Sequence, residues 1–150
     1  MQKRNVIVFL LLGLIFSFTA QSKVSSKPKS KKQPNVIIFL VDDLGWADIS
    51  LRGAPIDTPF IDSLFKEGMS LDRFYATPIC SPTRAALMTG RDPMRLGMSY
   101  SVVMPWMNNG IHPDEHFMPE SFQAAGYQTA MVGKWHLGHS QETFHPNSRG

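Results

Sequence analysis

The chain has 150 residues, enough for one ordinary domain with one buried core. Its net charge is +3, yet seven of the 15 basic residues (Lys3, Arg4, Lys23, Lys27, Lys29, Lys31 and Lys32) fall in the first 32 positions. All 12 acidic residues lie at Asp42 or beyond, leaving eight basic against twelve acidic groups there, a net −4, so bulk positive charge gives no case for a nucleic-acid partner.

Lys3 and Arg4 precede an apolar run from Val6 to Phe18. That run has the length of a signal core and is too short to span a membrane. Ala20-Gln21-Ser22 offers small residues for cleavage, so residues 1–22 read as a signal peptide. An uncleaved anchor is the alternative. No cysteine stands near the cleavage point for lipid attachment. Residues 23–34 are Lys, Ser and Pro with little to bury, and read as a solvated linker.

From residue 35 the pattern changes. Val36-Ile37-Ile38-Phe39-Leu40-Val41 predicts a strand covered on both faces, and Asp42-Asp43 follow at once. Thr58 is placed to cap a helix opened by Pro59, with Phe60, Ile61, Leu64 and Phe65 on one face and Gly68 ending it. Ser70 to Tyr75 reads as a short strand. A second helix is expected to start at Pro82, capped by Ser81, and to stop at Gly90. Residues 93–113, rich in Met, Pro, Gly and Asn, read as a long loop over a sheet. Pro119 opens a third helix through Ala125, closed by Gly126. Residues 127–132 alternate as a strand that leads into Gly133-Lys134-Trp135-His136. Strands alternating with helices predict an α/β domain over 35–150, with a mainly parallel sheet flanked by helices.

Three segments carry possible chemistry. Ligands of open parallel sheets bind beyond the carboxyl ends of strands, where Asp42-Asp43 and Lys134/His136 are expected. Adjacent carboxylates suit a hard cation such as Ca²⁺ or Mg²⁺. Equally, one could cap a turn while the other meets solvent. Cys80 is the sole cysteine. In an exported chain a lone cysteine implies an intermolecular bridge, a free thiol or a modified residue. A helix start beside it, with Arg84 in the same turn, would favour an anion there. A buried inert thiol and a surface arginine remain the plain alternative. Lys134 and His136, two apart, would face one side of an extended segment and offer charge and proton transfer. Solvated strand-end residues would look the same. His112, His116, His139 and His145 fall in polar, loop-like stretches and read as surface or rim positions. Trp46 and Trp106 could stack on a ring but are expected to pack. Asp114-Glu115 reads as helix-start acid.

Taken together the segments resemble one family. Cys80-Ser81-Pro82-Thr83-Arg84 followed by Leu87-Met88-Thr89-Gly90-Arg91 is similar to the signature of the type I sulfatases, the arylsulfatase family. Val41-Asp42-Asp43-Leu44-Gly45-Trp46 resembles that family's first metal-binding segment, and Gly133-Lys134-Trp135-His136-Leu137-Gly138 its second signature. The likeness runs over roughly 34–150 and is greatest to the arylsulfatase B-like branch. Thr83 stands where many members have Ser.

The resemblance implies an alkaline phosphatase/sulfatase-like fold. It implies that Cys80 is oxidised to formylglycine by a formylglycine-generating or anaerobic sulfatase-maturing enzyme that reads Pro82 and Arg84. Asp42, Asp43 and the modified Cys80 would ligate one divalent cation, Ca²⁺ or Mg²⁺. Arg84 would hold the formylglycine, Lys134 would reach that side chain and the sulfate, and His136 would hydrogen-bond the diol. The substrate would be a sulfated carbohydrate or an aryl sulfate, met outside the cytoplasm: in the periplasm or medium, or on a secretory or lysosomal route. No nucleic acid and no stable membrane span is expected. Family members are several times longer, so the resemblance also implies an N-terminal part, incomplete at the C-terminus and inactive alone. Two rivals stand beside it: a phosphatase or phosphodiesterase with a Ser or Thr nucleophile, and a non-catalytic carbohydrate-binding relic.

Overall fold

The structure, a computed structural model, describes residues 32–99 and 101–150. The expected signal peptide and all but residues 32–34 of the expected linker lie outside the described residues. Contacts divide the chain between Phe39 and Leu40. Residues 32–39 are exposed and without regular structure.

Among the described residues, three helices form where Pro and Gly punctuate the sequence. Helix α1 spans Pro59–Glu67, α2 Cys80–Thr89 and α3 Met118–Ala124. Gly90 ends α2 in the left-handed conformation (φ 67°) that a residue without Cβ adopts freely. Short 3₁₀ turns lie at Ser50–Arg52, Pro93–Leu96, Glu142–Phe144 and Pro146–Ser148.

Caps depart from expectation. Thr58 precedes α1, but its hydroxyl donates to Asp62 Oδ1 at 2.9 Å, and Ser50 Oγ donates to Asp62 Oδ2 at 2.6 Å. The first turn is thus tied sideways to the Ser50–Arg52 turn. Helix α2 starts two residues earlier than Pro82, at Cys80, and Ser81 does not cap it. Pro82 costs nothing there, because first-turn amides lack intrahelical partners. At α3 the Glu120 carboxylate accepts from Phe117 N at 2.5 Å. Glu120, not Asp114-Glu115, is the acid in the first turn.

The core is built from Ala85, Met98, Val103, Ile111, Phe117 and Leu137, with Met88, Leu96 and Trp135 against them. The 93–113 stretch expected to run over a sheet instead supplies three of these side chains. Its lack of period reflects irregular backbone, and its apolar residues are still buried. Phe117 stacks on Trp135 at 5.7 Å and carries the Arg149 guanidinium 4.3 Å from its ring centre. Arg149 donates to the carbonyls of Pro113 (2.7 Å), His112 (2.7 Å) and Ile111 (3.3 Å), and burial pushes its pKa down.

No strand forms among the described residues. Residues 36–41, 70–75 and 127–132, each expected as a strand, have no ladder partner. Phe39 is 82% exposed, and α1 turns Phe60 (85%) and Leu64 (70%) outward. A strand exists only through hydrogen bonds to a neighbour, and an apolar face is buried only by something laid against it. The mainly parallel sheet is therefore not formed among these residues.

Phe117→Ala is expected to cost about 3–5 kcal/mol in chemical denaturation, because the ring is fully buried at the centre of the core. A loss below about 1 kcal/mol would contradict this packing.

Candidate active site

Helix α2 places Cys80 in its first turn. Thr83 N donates to Ile79 O at 3.1 Å, the first bond of the helix. The amides ahead of it sit at the positive end of the helix, beside the Cys80 side chain. Thr83 Oγ1 donates to Thr77 O at 2.6 Å, which anchors the approach to the helix. A serine could make the same bond.

The 134–136 segment lies against this end. Cys80 Sγ and His136 Nδ1 are hydrogen-bonded at 3.1 Å. Ser81 Oγ donates to His136 O at 2.7 Å and accepts from Val103 N at 3.1 Å. Arg84 is buried; its Nη1 donates to Lys134 O, and its Nη2 lies 3.3 Å from Asp42 Oδ1. Lys134 Nζ donates to Asp42 Oδ2 at 2.7 Å. The structure thus gathers Asp42, Cys80, Arg84, Lys134 and His136 into one cluster. Asp43 makes none of these contacts. It follows Asp42 in the left-handed region (φ 55°), and His136 is left-handed too (φ 62°). Such conformations are uncommon outside glycine, though Asp and His tolerate them better than most. For His136 this means Lys134 and His136 are not two residues of one regular extended run.

The electrostatics follow from the contacts. The Lys134 hydrogen bond, helped by Arg84, holds the Asp42 carboxyl below the usual carboxylate range. The same bond lifts the Lys134 ammonium above its usual value. Burial, then the Lys134 and Arg84 charges, push His136 down, so its imidazole is neutral at neutral pH. Lys134 lies beside the Cys80 side chain, and the Asp42 carboxylate stands between Lys134 and Arg84. That arrangement has the sign to suit an anion and places an imidazole beside Cys80.

A hard divalent cation takes about six to eight oxygen ligands. Asp42 and Asp43 supply the right donor chemistry, and both are exposed. Among the described residues no group of three or more His, Cys, Asp and Glu side chains is placed to hold a metal ion. Asp42 here faces Lys134 and Arg84. The donors fit such a cation in kind but do not complete its shell.

The remaining histidines lie outside the cluster. His139 Nε2 bonds Pro105 O at 2.7 Å, His145 Nε2 bonds His139 O at 2.8 Å, and His116 Nε2 bonds Ser121 Oγ at 2.7 Å. His112 sits beside Asp114 on the surface. Trp46 and Trp106, expected to pack, are mostly exposed, and Arg52 stacks 3.9 Å from the Trp46 ring centre. Ser81, expected as a helix cap, instead bridges the Val103 amide to the His136 carbonyl. Val103 contributes a backbone amide, for which no side-chain signal exists.

Residues 34–149 match the family described as Sulfatase. Among curated relatives, N-acetylgalactosamine-6-sulfatase of Mus musculus is 44% identical over 127 residues, covering 78% of this chain and 24% of that protein. Arylsulfatase J of Mus musculus is 35% identical over 134 residues, covering 87% and 22%. Arylsulfatase G of Mus musculus is 39% identical over 147 residues, covering 94% and 27%. The crystal structure of Ps i-CgsB is similar with a TM-score of 0.73 and 40% identity, over 79% of this chain and 27% of that one. Its complex with k-i-k-neocarrahexaose gives 0.67 and 40%, over 73% and 24%. The chain spans about a quarter of the length of the curated relatives it matches.

The Asp42 pairing stabilises the fold above the usual carboxylate range and is lost as pH falls through the depressed Asp42 value. The Lys134 side of the pair is present below the usual ammonium value and is lost as pH rises through the raised one. Asp42→Asn is therefore expected to lower the Lys134 pKa. Lys134 should then react faster with an amine-acylating reagent at mildly alkaline pH, read by peptide mapping; an unchanged rate would contradict the pair.

Proposed function

The chain belongs to the sulfatase family, and on that premise we propose that the protein hydrolyses sulfate esters to an alcohol and inorganic sulfate. The observation that carries this reading is Cys80 at the start of α2, its Sγ 3.1 Å from His136 Nδ1 and Lys134 beside it, with Arg84 of the same helix holding the Lys134 carbonyl. A sulfated carbohydrate is the favoured substrate, with an aryl sulfate second. A relative named for a sugar sulfate and a similar structure holding a neocarrahexaose support that order.

In this reading Cys80 is oxidised to formylglycine by a maturation enzyme. When hydrated, the aldehyde supplies two hydroxyls on one carbon, one to displace the alcohol from sulfur and one whose deprotonation releases sulfate. Asp42, Asp43 and the residue derived from Cys80 would hold a Ca²⁺ or Mg²⁺ ion, completed by ligands outside this chain's described residues. When bound, the cation would lower the pKa of a hydroxyl beside it.

The chain's own side chains have separable tasks. Lys134 and Arg84 offset the negative charge of the ester, which otherwise repels an anionic nucleophile. Arg84 also fixes Lys134 through its carbonyl. His136, uncharged at neutral pH, can accept a proton from a hydroxyl on the Cys80-derived carbon. Asp42, through its hydrogen bond, raises the Lys134 ammonium further above its usual value.

The phosphatase rival needs a free hydroxyl nucleophile. Ser81, the neighbour of Cys80, is fully buried and has its hydroxyl committed in both directions. That favours Cys80 as the reactive position. The reading extends to an α/β fold with a mainly parallel sheet flanked by helices, for which the likeness at TM-score 0.73 is the support. It extends also to export by a signal peptide at 1–22 and a linker at 23–34. No helix among the described residues is long and apolar enough to cross a membrane.

In the full-length protein, tryptic peptide 74–84 should be lighter than its unmodified sequence by the difference between a thiol and an aldehyde. Turnover of a sulfated sugar should track that fraction. Cys80→Ser should stop after one half-reaction, with a sulfo group retained on the same peptide. Lys134→Ala should lower kcat by about 10²–10³-fold. Full turnover with the thiol intact would contradict the proposal.

A further inference from the structure

Ser81 lies at the one position between Cys80 and Pro82, and its side chain does what no cap does. Its hydroxyl has a single proton, and that proton goes to His136 O at 2.7 Å. A lone pair of the same oxygen receives Val103 N–H at 3.1 Å. The residue is fully buried, so neither bond competes with water. The carbonyl it grips belongs to a residue in the left-handed region, whose Nδ1 faces Cys80 Sγ.

Several bonds therefore join the start of α2 to the 134–136 segment, and they differ in kind. Arg84 holds Lys134 O, Cys80 meets the His136 ring, and Ser81 holds the His136 backbone. A ring attached to an unheld left-handed residue could relax toward commoner backbone angles and swing away from Cys80. Val103, a core residue, supplies the fixed end of the bridge.

We propose that Ser81 is a positioning residue: its buried hydroxyl bridges Val103 N–H to the His136 carbonyl and so keeps the His136 imidazole on the side chain at position 80. This rests on the proposed function only for its kinetic consequence. The geometric claim stands apart from it.

The test uses the full-length protein with Ser81→Ala, and the isosteric pair Ser81→Thr and Ser81→Val, which differ only by a hydroxyl. Conversion of Cys80 is measured on peptide 74–84, and turnover is normalised to converted enzyme. Ser81→Ala and Ser81→Val are expected to lower kcat by about 10–100-fold while KM stays within about threefold, and Ser81→Thr is expected to restore kcat. In histidine-labelled protein at one fixed pH, the His136 ring signal is identified as the one missing in His136→Ala. It should move in the Ala and Val variants and return in the Thr variant.

If Ser81→Ala is too unstable to assay, the Thr/Val pair decides. A Val variant with native kcat, or with a native His136 signal, overturns the proposal. So does a drop in Tm without any change in either readout. If the unsubstituted protein turns over no sulfate ester, the proposed function fails, and the His136 signal alone judges the bridge.

Discussion

A buried guanidinium needs partners, and among the described residues Arg84 finds them in two groups far away in sequence. Its charge sits out of water in the first turns of α2, where an unpaired cation would be costly. The carboxylate of Asp42 and the carbonyl of Lys134 meet that need. Three segments separated by 42 and 50 residues are thereby drawn to one point. Every other feature of the site depends on that convergence. Lys134 reaches Asp42 because Arg84 holds its backbone, and His136 meets Cys80 because the same segment is pinned to the helix start.

This arrangement sets the charge of the site. Asp42 is shared by two cations, so its own charge is spent inside the cluster. What remains toward Cys80 is the positive end of a helix, a protonated lysine and a neutral imidazole. A site of that sign suits an anion. Burial alone would lower the His136 pKa, and the neighbouring cations push it the same way.

Local signals in the sequence were legible where local physics decides the outcome. Pro59 and Gly68 bracket α1, Gly90 ends α2, and Pro119 and Gly126 bracket α3, because backbone restrictions act within one turn. The cluster of Asp42, Cys80, Arg84, Lys134 and His136 was legible because three motifs carried it. Features set by distant partners were not. The Ser81 hydroxyl chose the His136 carbonyl over the helix amides, which depends on a residue 55 positions away. The 93–113 stretch has no period, so burial of Met98, Val103 and Ile111 left no pattern. The run at 36–41 has a strand's composition but no neighbour among the described residues, and composition cannot supply a ladder. His136 entering the left-handed region broke the simple two-residue alternation expected of Lys134 and His136.

The most direct test of this account is a double-mutant cycle on the full-length protein, combining Arg84→Met with Asp42→Asn and reading unfolding free energy. Coupled groups lose less together than the sum of their separate losses. The account predicts that the double variant is clearly more stable than the two single effects would give. Strict additivity would mean that Arg84 and Asp42 do not depend on one another, and the convergence described here would be wrong.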